Sequence, residues 1–204
     1  MKYYTPGKFA FLDMPKSGST FVSRAMARVG LQAKTPYTEH DTRGVAGARK
    51  NGFVVFCVLR DPVEWLGSVW RYNKTHNEGW LGLPGAASIL NPLESPTFAE
   101  FVERVNCRPG ILGHVYRAFS EPSDHCLDLA RIAADLGDLL RSRGVQFSQA
   151  AIDDLGQVNA TPSKRQLTCP TYELDRLRET QAEAFAAYRE AVYRGCGSGS
   201  GRAR

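Results

Sequence analysis

Seven apolar residues in unbroken succession, Phe53 to Leu59 (FVVFCVL), make the sharpest hydrophobic feature of the chain. The run is rich in aromatic and β-branched types and predicts a parallel strand covered on both faces. A shorter run, Phe9 to Met14, predicts a buried strand that enters the loop Pro15-Lys16-Ser17-Gly18-Ser19-Thr20. From Thr20 the period lengthens to that of a helix: Phe21, Val22, Ala25, Met26 and Val29 share one face, and Gly30 is a stop. Ala33 to Tyr37 suggests another strand. Asp61 and Pro62 open a further helix as N-cap and first helical residue. Strand, loop, helix, strand, helix is the βαβ rhythm of an α/β fold. It predicts a single domain over residues 1–194 with a central parallel sheet flanked by helices.

Residues 74–96 mix Gly, Pro and Asn with Trp80, Leu81 and Leu83, the pattern of a long irregular and functional loop. Helices are expected at Thr97–Val105 and Ile111–Phe119, and a short strand at His125–Leu129. The helix after that strand aligns Leu129, Ile132, Leu136, Leu139 and Leu140 and ends at Gly144. One last helix from near Thr171 places Leu174, Leu177, Gln181, Ala184, Tyr188 and Val192 on its inner face. Residues 195–204 (GCGSGSGRAR) read as a flexible Gly/Ser tail of the kind an expression vector leaves.

Composition narrows the class. Hydrophobic residues at 43% and charged residues at 23% are ordinary for a soluble globular protein. Of the formal net charge of +5, Arg202 and Arg204 in the tail supply two. The remainder is too small to argue for nucleic acid and suits an anionic ligand. Five scattered cysteines contain no CxxC pair and no Cys/His cluster, so neither zinc nor a disulfide framework is expected. Cys57, inside the central run, predicts a buried thiol. The polar start from Met1 to Lys8 does not read as a signal peptide, and no apolar run approaches membrane-spanning length. A cytoplasmic protein without membrane insertion is the expectation.

Two segments carry chemistry. In the first, a strand, a Ser/Gly turn and a helix follow one another. The backbone N–H groups from Ser17 through Thr20 would point into one concavity at a helix N-terminus, a geometry that suits phosphate-like anions. Gly18 permits the tight backbone, Lys16 adds positive charge, and Ser19 and Thr20 add hydroxyls. The order is not that of a Walker A loop, because Lys16 precedes the only glycine. An ordinary βα turn with a solvated lysine is the competing account. In the second segment, Arg60 leaves the carboxyl end of the buried strand, where open α/β sheets bind ligands, and Ser68 lies two turns into the next helix. A guanidinium and a hydroxyl converging there make a phosphate pocket. An Arg60–Asp61 pair with Ser68 merely exposed is the alternative.

Together, Pro15-Lys16-Ser17-Gly18-Ser19-Thr20 after a strand and Arg60-Asp61-Pro62 with Ser68 eight residues beyond the arginine resemble one family, the sulfotransferases that use 3′-phosphoadenosine 5′-phosphosulfate (PAPS). Their order and separation of roughly 40 residues also fit. Strict identity to the motifs covers about 20 residues; a looser likeness includes Asn159–Thr161 before basic residues and a closing helix rich in Glu and Tyr.

The resemblance implies PAPS as sulfuryl donor, no metal, and a hydroxyl on a small molecule or glycan as acceptor. Lys16, Ser17, Gly18, Ser19 and Thr20, with Phe21 opening the helix, would grip the 5′-phosphosulfate. Arg60 and Ser68 would hold the 3′-phosphate. Lys164 and Arg165 fall where many members close a loop over the nucleotide, although this segment departs from their Arg-Lys-Gly form. Lys16 would also meet the departing phosphate oxygen. For the base, His40 stands 20 residues ahead of Arg60, similar to the placement of the base histidine in many members, with Asp41 able to orient it. Other members use a glutamate, which leaves Glu39 as a rival; His114, His76 and His125 rank behind. Trp65 and Trp70 are adenine candidates that could equally be core. The acceptor site would be shaped by residues 74–96 and by Gly113–Phe119. Two other readings stand beside this one: a nucleotide-dependent kinase on a similar core, and a non-catalytic nucleotide-binding protein of the same fold.

Overall fold

The computed structural model describes residues 1–5, 7–34, 44–76, 94–156 and 167–197, the side chains of 194–197 excepted. In chain order the elements are β1 (Lys2–Thr5), β2 (Phe9–Leu12), α1 (Ser19–Arg28), β3 (Gln32–Lys34), α2 (Val45–Lys50), β4 (Val54–Leu59), α3 (Pro62–His76), α4 (Phe98–Asn106), α5 (Ile111–Ser120), β5 (His125–Asp128), α6 (Ile132–Ser142), α7 (Gln149–Asp153), α8 (Thr171–Thr180) and α9 (Ala182–Gly197). A 3₁₀ turn, Leu129–Arg131, joins β5 to α6.

The five described strands form one mixed sheet in the order β3-β1-β2-β4-β5. Strands β2, β4 and β5 are parallel, with Leu12 opposite Cys57 and Leu59 opposite Asp128. Their carboxyl ends therefore open on the same edge. Strands β1 and β2 pair antiparallel, as do β1 and β3. The expected parallel sheet is thus a three-strand core extended by two antiparallel strands. The physical reason is the short connection between β1 and β2: Gly7 (φ 100°) and Lys8 (φ 52°) turn the chain back at once, and a tight turn can only join antiparallel neighbours. Polar Lys2 and Thr5 disguise β1 in the sequence, yet Met1 and Tyr4 are buried.

The described residues group into two compact units, one drawn from residues 1–59, 119–160 and 190–204, the other from 60–118 and 161–189. In the first, Phe9, Phe11, Phe56 and Val58 on the sheet pack with Phe21, Val22, Ala25 and Met26 of α1 and Leu136, Leu139 and Leu140 of α6. Phe11 stacks on Phe56 at 5.1 Å between ring centroids. Cys57 and Cys126 face each other across β4 and β5 with sulfurs 3.5 Å apart; burial pushes the Cys57 thiol well up, as befits a core position.

The second unit buries Trp65, Leu66 and Val69 of α3, Phe101, Val102 and Val105 of α4, and Leu112 and Tyr116 of α5. Thr97 starts α4 with a capping box, accepting from the Glu100 N–H while Glu100 accepts from the Thr97 N–H. The single closing helix expected from Thr171 is two helices that part at Gln181. That side chain is fully buried and fully used: its amide donates to the carbonyls of Val105 and Arg108 and accepts from the Leu112 N–H. Tertiary hydrogen bonds override the continuous apolar periodicity there. Residues 35–37 of the Ala33–Tyr37 strand lie outside the described residues; β3 occupies Gln32–Lys34.

Candidate functional site

Strand β2 ends at Leu12, and the chain passes through Asp13-Met14-Pro15-Lys16-Ser17-Gly18 into α1. The Ser17 N–H donates to the Met14 carbonyl at 3.3 Å, closing a tight turn. Lys16 holds φ 61° and Gly18 φ 91°, both left-handed. For a residue with a Cβ that conformation costs roughly 1–2 kcal/mol, so the surrounding structure must impose it on Lys16. At Gly18 a second restraint applies: a Cβ would lie 2.6 Å from Leu129 Cδ1. A side chain there would have to displace the tip of Leu129 as well as adopt the left-handed backbone, so glycine suits the close approach of the turn after β2 to the turn after β5.

Gly18 takes the N-cap position, no side chain caps α1, and the first helical hydrogen bond is Val22 N–H to the Gly18 carbonyl. The helix therefore begins without a side-chain acceptor of its own. Ser17, 1% exposed, has a buried hydroxyl with no hydrogen-bond partner. An idle buried hydroxyl is costly, and its position beside a helix N-terminus suits an oxygen anion. Ser19 and Thr20 are half-buried in the first turn and Phe21 is buried. Lys16 is half-buried.

Beneath the turn, Lys2 Nζ lies 3.4 Å from the buried Asp13 carboxylate and donates to Ser23 Oγ at 3.3 Å. One ammonium thus ties the start of the turn to the helix that leaves it. No pattern near Lys2 announces this, because the partner types are common and only the hairpin brings them together.

Arg60 follows β4 directly. Asp61 caps α3 as expected, its carboxylate accepting from the N–H groups of Val63 (2.9 Å) and Glu64 (3.2 Å). It does not pair with Arg60, whose Nε donates instead to Glu64 at 3.2 Å. The Arg60 carbonyl accepts a 2.6 Å hydrogen bond from Tyr116, which is itself buried edge-on against Trp65. Burial pushes the Tyr116 phenol well above its ordinary range, so it stays a donor. Ser68 is half-buried one turn beyond Glu64. Arg71, three residues further, has a buried Nε–H without a hydrogen-bond partner. Burial first, then the charge of Arg60, pull the Arg71 pKa down, and Glu64 opposes them. No motif singles out Arg71 or the Tyr116 hydroxyl; the spacing 64, 68, 71 on one helix stripe is the available signal for the first.

Of the two tryptophans of α3, one is core and the other half-buried. Trp65 is fully buried, and Trp70 donates to the Ser95 carbonyl at 3.2 Å and packs on Phe98. His114 is exposed on α5. His76 stacks on Tyr72 at 4.1 Å and its Nδ1 meets the Tyr72 carbonyl. His125 is half-buried on β5, and burial lowers its pKa. Much of Gly113–Phe119, expected near an acceptor, is core: Val115, Tyr116 and Phe119 are buried. A cavity of about 260 Å³ in the second unit is lined by Asp61, Arg178, Ala182, Phe185, Tyr188 and Arg189. Glu39, His40, Asp41, Lys164 and Arg165, and the loop residues Trp80, Leu81 and Leu83, lie outside the described residues. Among the described residues no group of three or more His, Cys, Asp or Glu could hold a metal ion, and no helix is long and apolar enough to cross a membrane.

No protein-family model, curated protein or solved structure matches the chain.

Proposed function

We propose that the protein transfers the sulfuryl group of PAPS to an acceptor hydroxyl. The observation that carries the reading is the Ser17 hydroxyl, buried and unpartnered in the strained turn that opens α1. A phosphosulfate oxygen would supply the acceptor this donor lacks, and the uncapped helix would add its dipole. The motif resemblance of the two segments supplies the rest: a turn after β2 for the 5′ end, Arg60 and Ser68 for the 3′-phosphate.

In this reading the acceptor oxygen forms a bond to sulfur as the bond from sulfur to the 5′-phosphate oxygen breaks in line with it. Lys16 offsets the negative charge that arrives on the departing oxygen. The acceptor proton passes to a base, His40 or Glu39. Positioning and electrostatics supply most of the rate, as in phosphoryl transfer.

Titration calorimetry with 3′-phosphoadenosine 5′-phosphate (PAP), against ADP with magnesium, tests the nucleotide half of the reading. PAP should bind more tightly; a preference for ADP with magnesium overturns it in favour of a kinase. Transfer of label from radiolabelled PAPS to a panel of hydroxyl acceptors tests catalysis, and binding without transfer to any of them would favour a non-catalytic nucleotide-binding protein.

A further inference from the structure

Glu64, Ser68 and Arg71 recur at intervals of four and three along α3, so they lie on one stripe of the helix, with Arg60 reaching Glu64 from the residue before the cap. Two guanidinium groups on this stripe are close enough for their charges to oppose each other, and Glu64, with 66% of its side chain exposed, is a weak offset. The Arg60 side chain is 22% exposed. The Nε–H of Arg71 is buried and makes no hydrogen bond. Left to itself, this arrangement combines an unsatisfied donor with like-charge repulsion, and both are unfavourable. A dianion lying against the stripe would reverse both terms at once, because each guanidinium would become a charge-assisted donor and Ser68 would add a hydroxyl between them.

We propose that Arg71 is a third ligand of a phosphate monoester on this stripe, acting with Arg60 and Ser68, and that it sets the preference for 3′-phosphorylated nucleotides. The identity of the ester rests on the sulfotransferase reading; the anion site itself rests on α3. A planar guanidinium is suited to the task, since it can offer two parallel N–H donors to one phosphate. Glu64 then acts as the stand-in partner of Arg60 when no anion is bound, and it gives way when one arrives.

The test is calorimetry on the full chain with four ligands: PAP, 3′-AMP, 5′-AMP and inorganic phosphate, for wild type, Arg71→Gln and Arg71→Lys. Arg71→Gln should weaken PAP and 3′-AMP by roughly 10- to 100-fold and leave 5′-AMP within about threefold, the scale of one charge-assisted contact. Arg71→Lys should recover part of the loss, because charge returns without the two-donor geometry. Thermal unfolding followed by circular dichroism checks that both variants fold, and the lysine variant carries the test if the glutamine variant does not. If Arg71→Gln weakens PAP and 5′-AMP equally, or leaves PAP unchanged, the assignment fails. If PAP binds and loses affinity in the variant while no sulfuryl transfer occurs, Arg71 stands and the sulfotransferase reading falls. If transfer proceeds and the variant binds PAP as wild type does, the reading stands and Arg71 falls. Wild type that binds neither PAP nor 3′-AMP overturns both.

Discussion

The Tyr116 hydroxyl donates to the Arg60 carbonyl at 2.6 Å, joining the middle of α5 to the residue where β4 gives way to α3. The contact holds the Arg60 backbone, while Glu64 holds its side chain. Tyr116→Phe should destabilise the protein by about 1–2 kcal/mol, the scale of a buried hydrogen bond whose acceptor is left behind. PAP affinity should fall more than 5′-AMP affinity if Arg60 reads the 3′-phosphate. Urea unfolding and calorimetry on the same variant check both parts; a stability loss with unchanged PAP affinity would mean that Tyr116 supports the fold alone.

Lys2 and Asp13 form an ion pair with side chains 12% and 1% exposed. Removing the cation leaves a buried carboxylate, so Lys2→Ala should cost about 3 kcal/mol or more. The double variant Lys2→Ala/Asp13→Asn should lose less than the two single losses added together. Strict additivity in urea midpoints would show that the pair does not couple.

Ser17→Ala separates stability from binding. Deleting a buried hydroxyl without a partner should leave the melting temperature unchanged or raise it. The same change should weaken PAP by roughly tenfold, because the donor is used only when the anion is present. A lowered melting temperature with wild-type affinity is the opposite pattern and would remove Ser17 from the site.

His125 supplies a pH signature. Burial depresses its pKa, with Asp124 opposing and Arg143 assisting. The unfolded imidazole titrates near about 6.5, so below that pH the unfolded chain binds a proton that the folded chain resists. Stability should therefore be unaffected by this group above about pH 6.5 and should decline as pH falls from there through the folded value. His125→Gln should flatten that part of the profile, read as urea midpoints from pH 8 to pH 5. An unchanged slope would assign the acid sensitivity elsewhere.

The base is tested by paired variants, His40→Ala and Glu39→Gln. A histidine base must be neutral to act, so kcat/KM should fall as pH drops through its pKa. His40→Ala should abolish most turnover with PAP affinity nearly intact. If Glu39→Gln does this instead, the carboxylate is the base; if both stay active, neither residue is, and His114 is tested next.

Strand β4, helix α1 and the Asp61–Pro62 start of α3 were legible because each is a local matter. An unbroken apolar run, a 3.6-residue period and a capping carboxylate all act over a few neighbours in the chain. Pro15–Thr20 was legible as a strand-to-helix turn because Gly18 permits a left-handed backbone there, although the positive φ of Lys16 is imposed by its surroundings. Strand β1 was not legible, because its burial depends on the hairpin that pairs it with β2. The break at Gln181 was hidden too, since it follows from carbonyls of Val105 and Arg108 more than 70 residues away.

Short-range sequence pattern therefore determined the α/β class, the positions of both candidate anion segments and the residue types within them. Tertiary structure decided the antiparallel half of the sheet, the Lys2 tie beneath Asp13, the Tyr116 anchor on Arg60 and the unpartnered state of the Ser17 hydroxyl and the Arg71 Nε–H. Each of these depends on which groups reach one another across the fold. Burial and hydrogen-bond partnership are properties of neighbours in space, and a linear pattern encodes them only where those neighbours are also close in the chain.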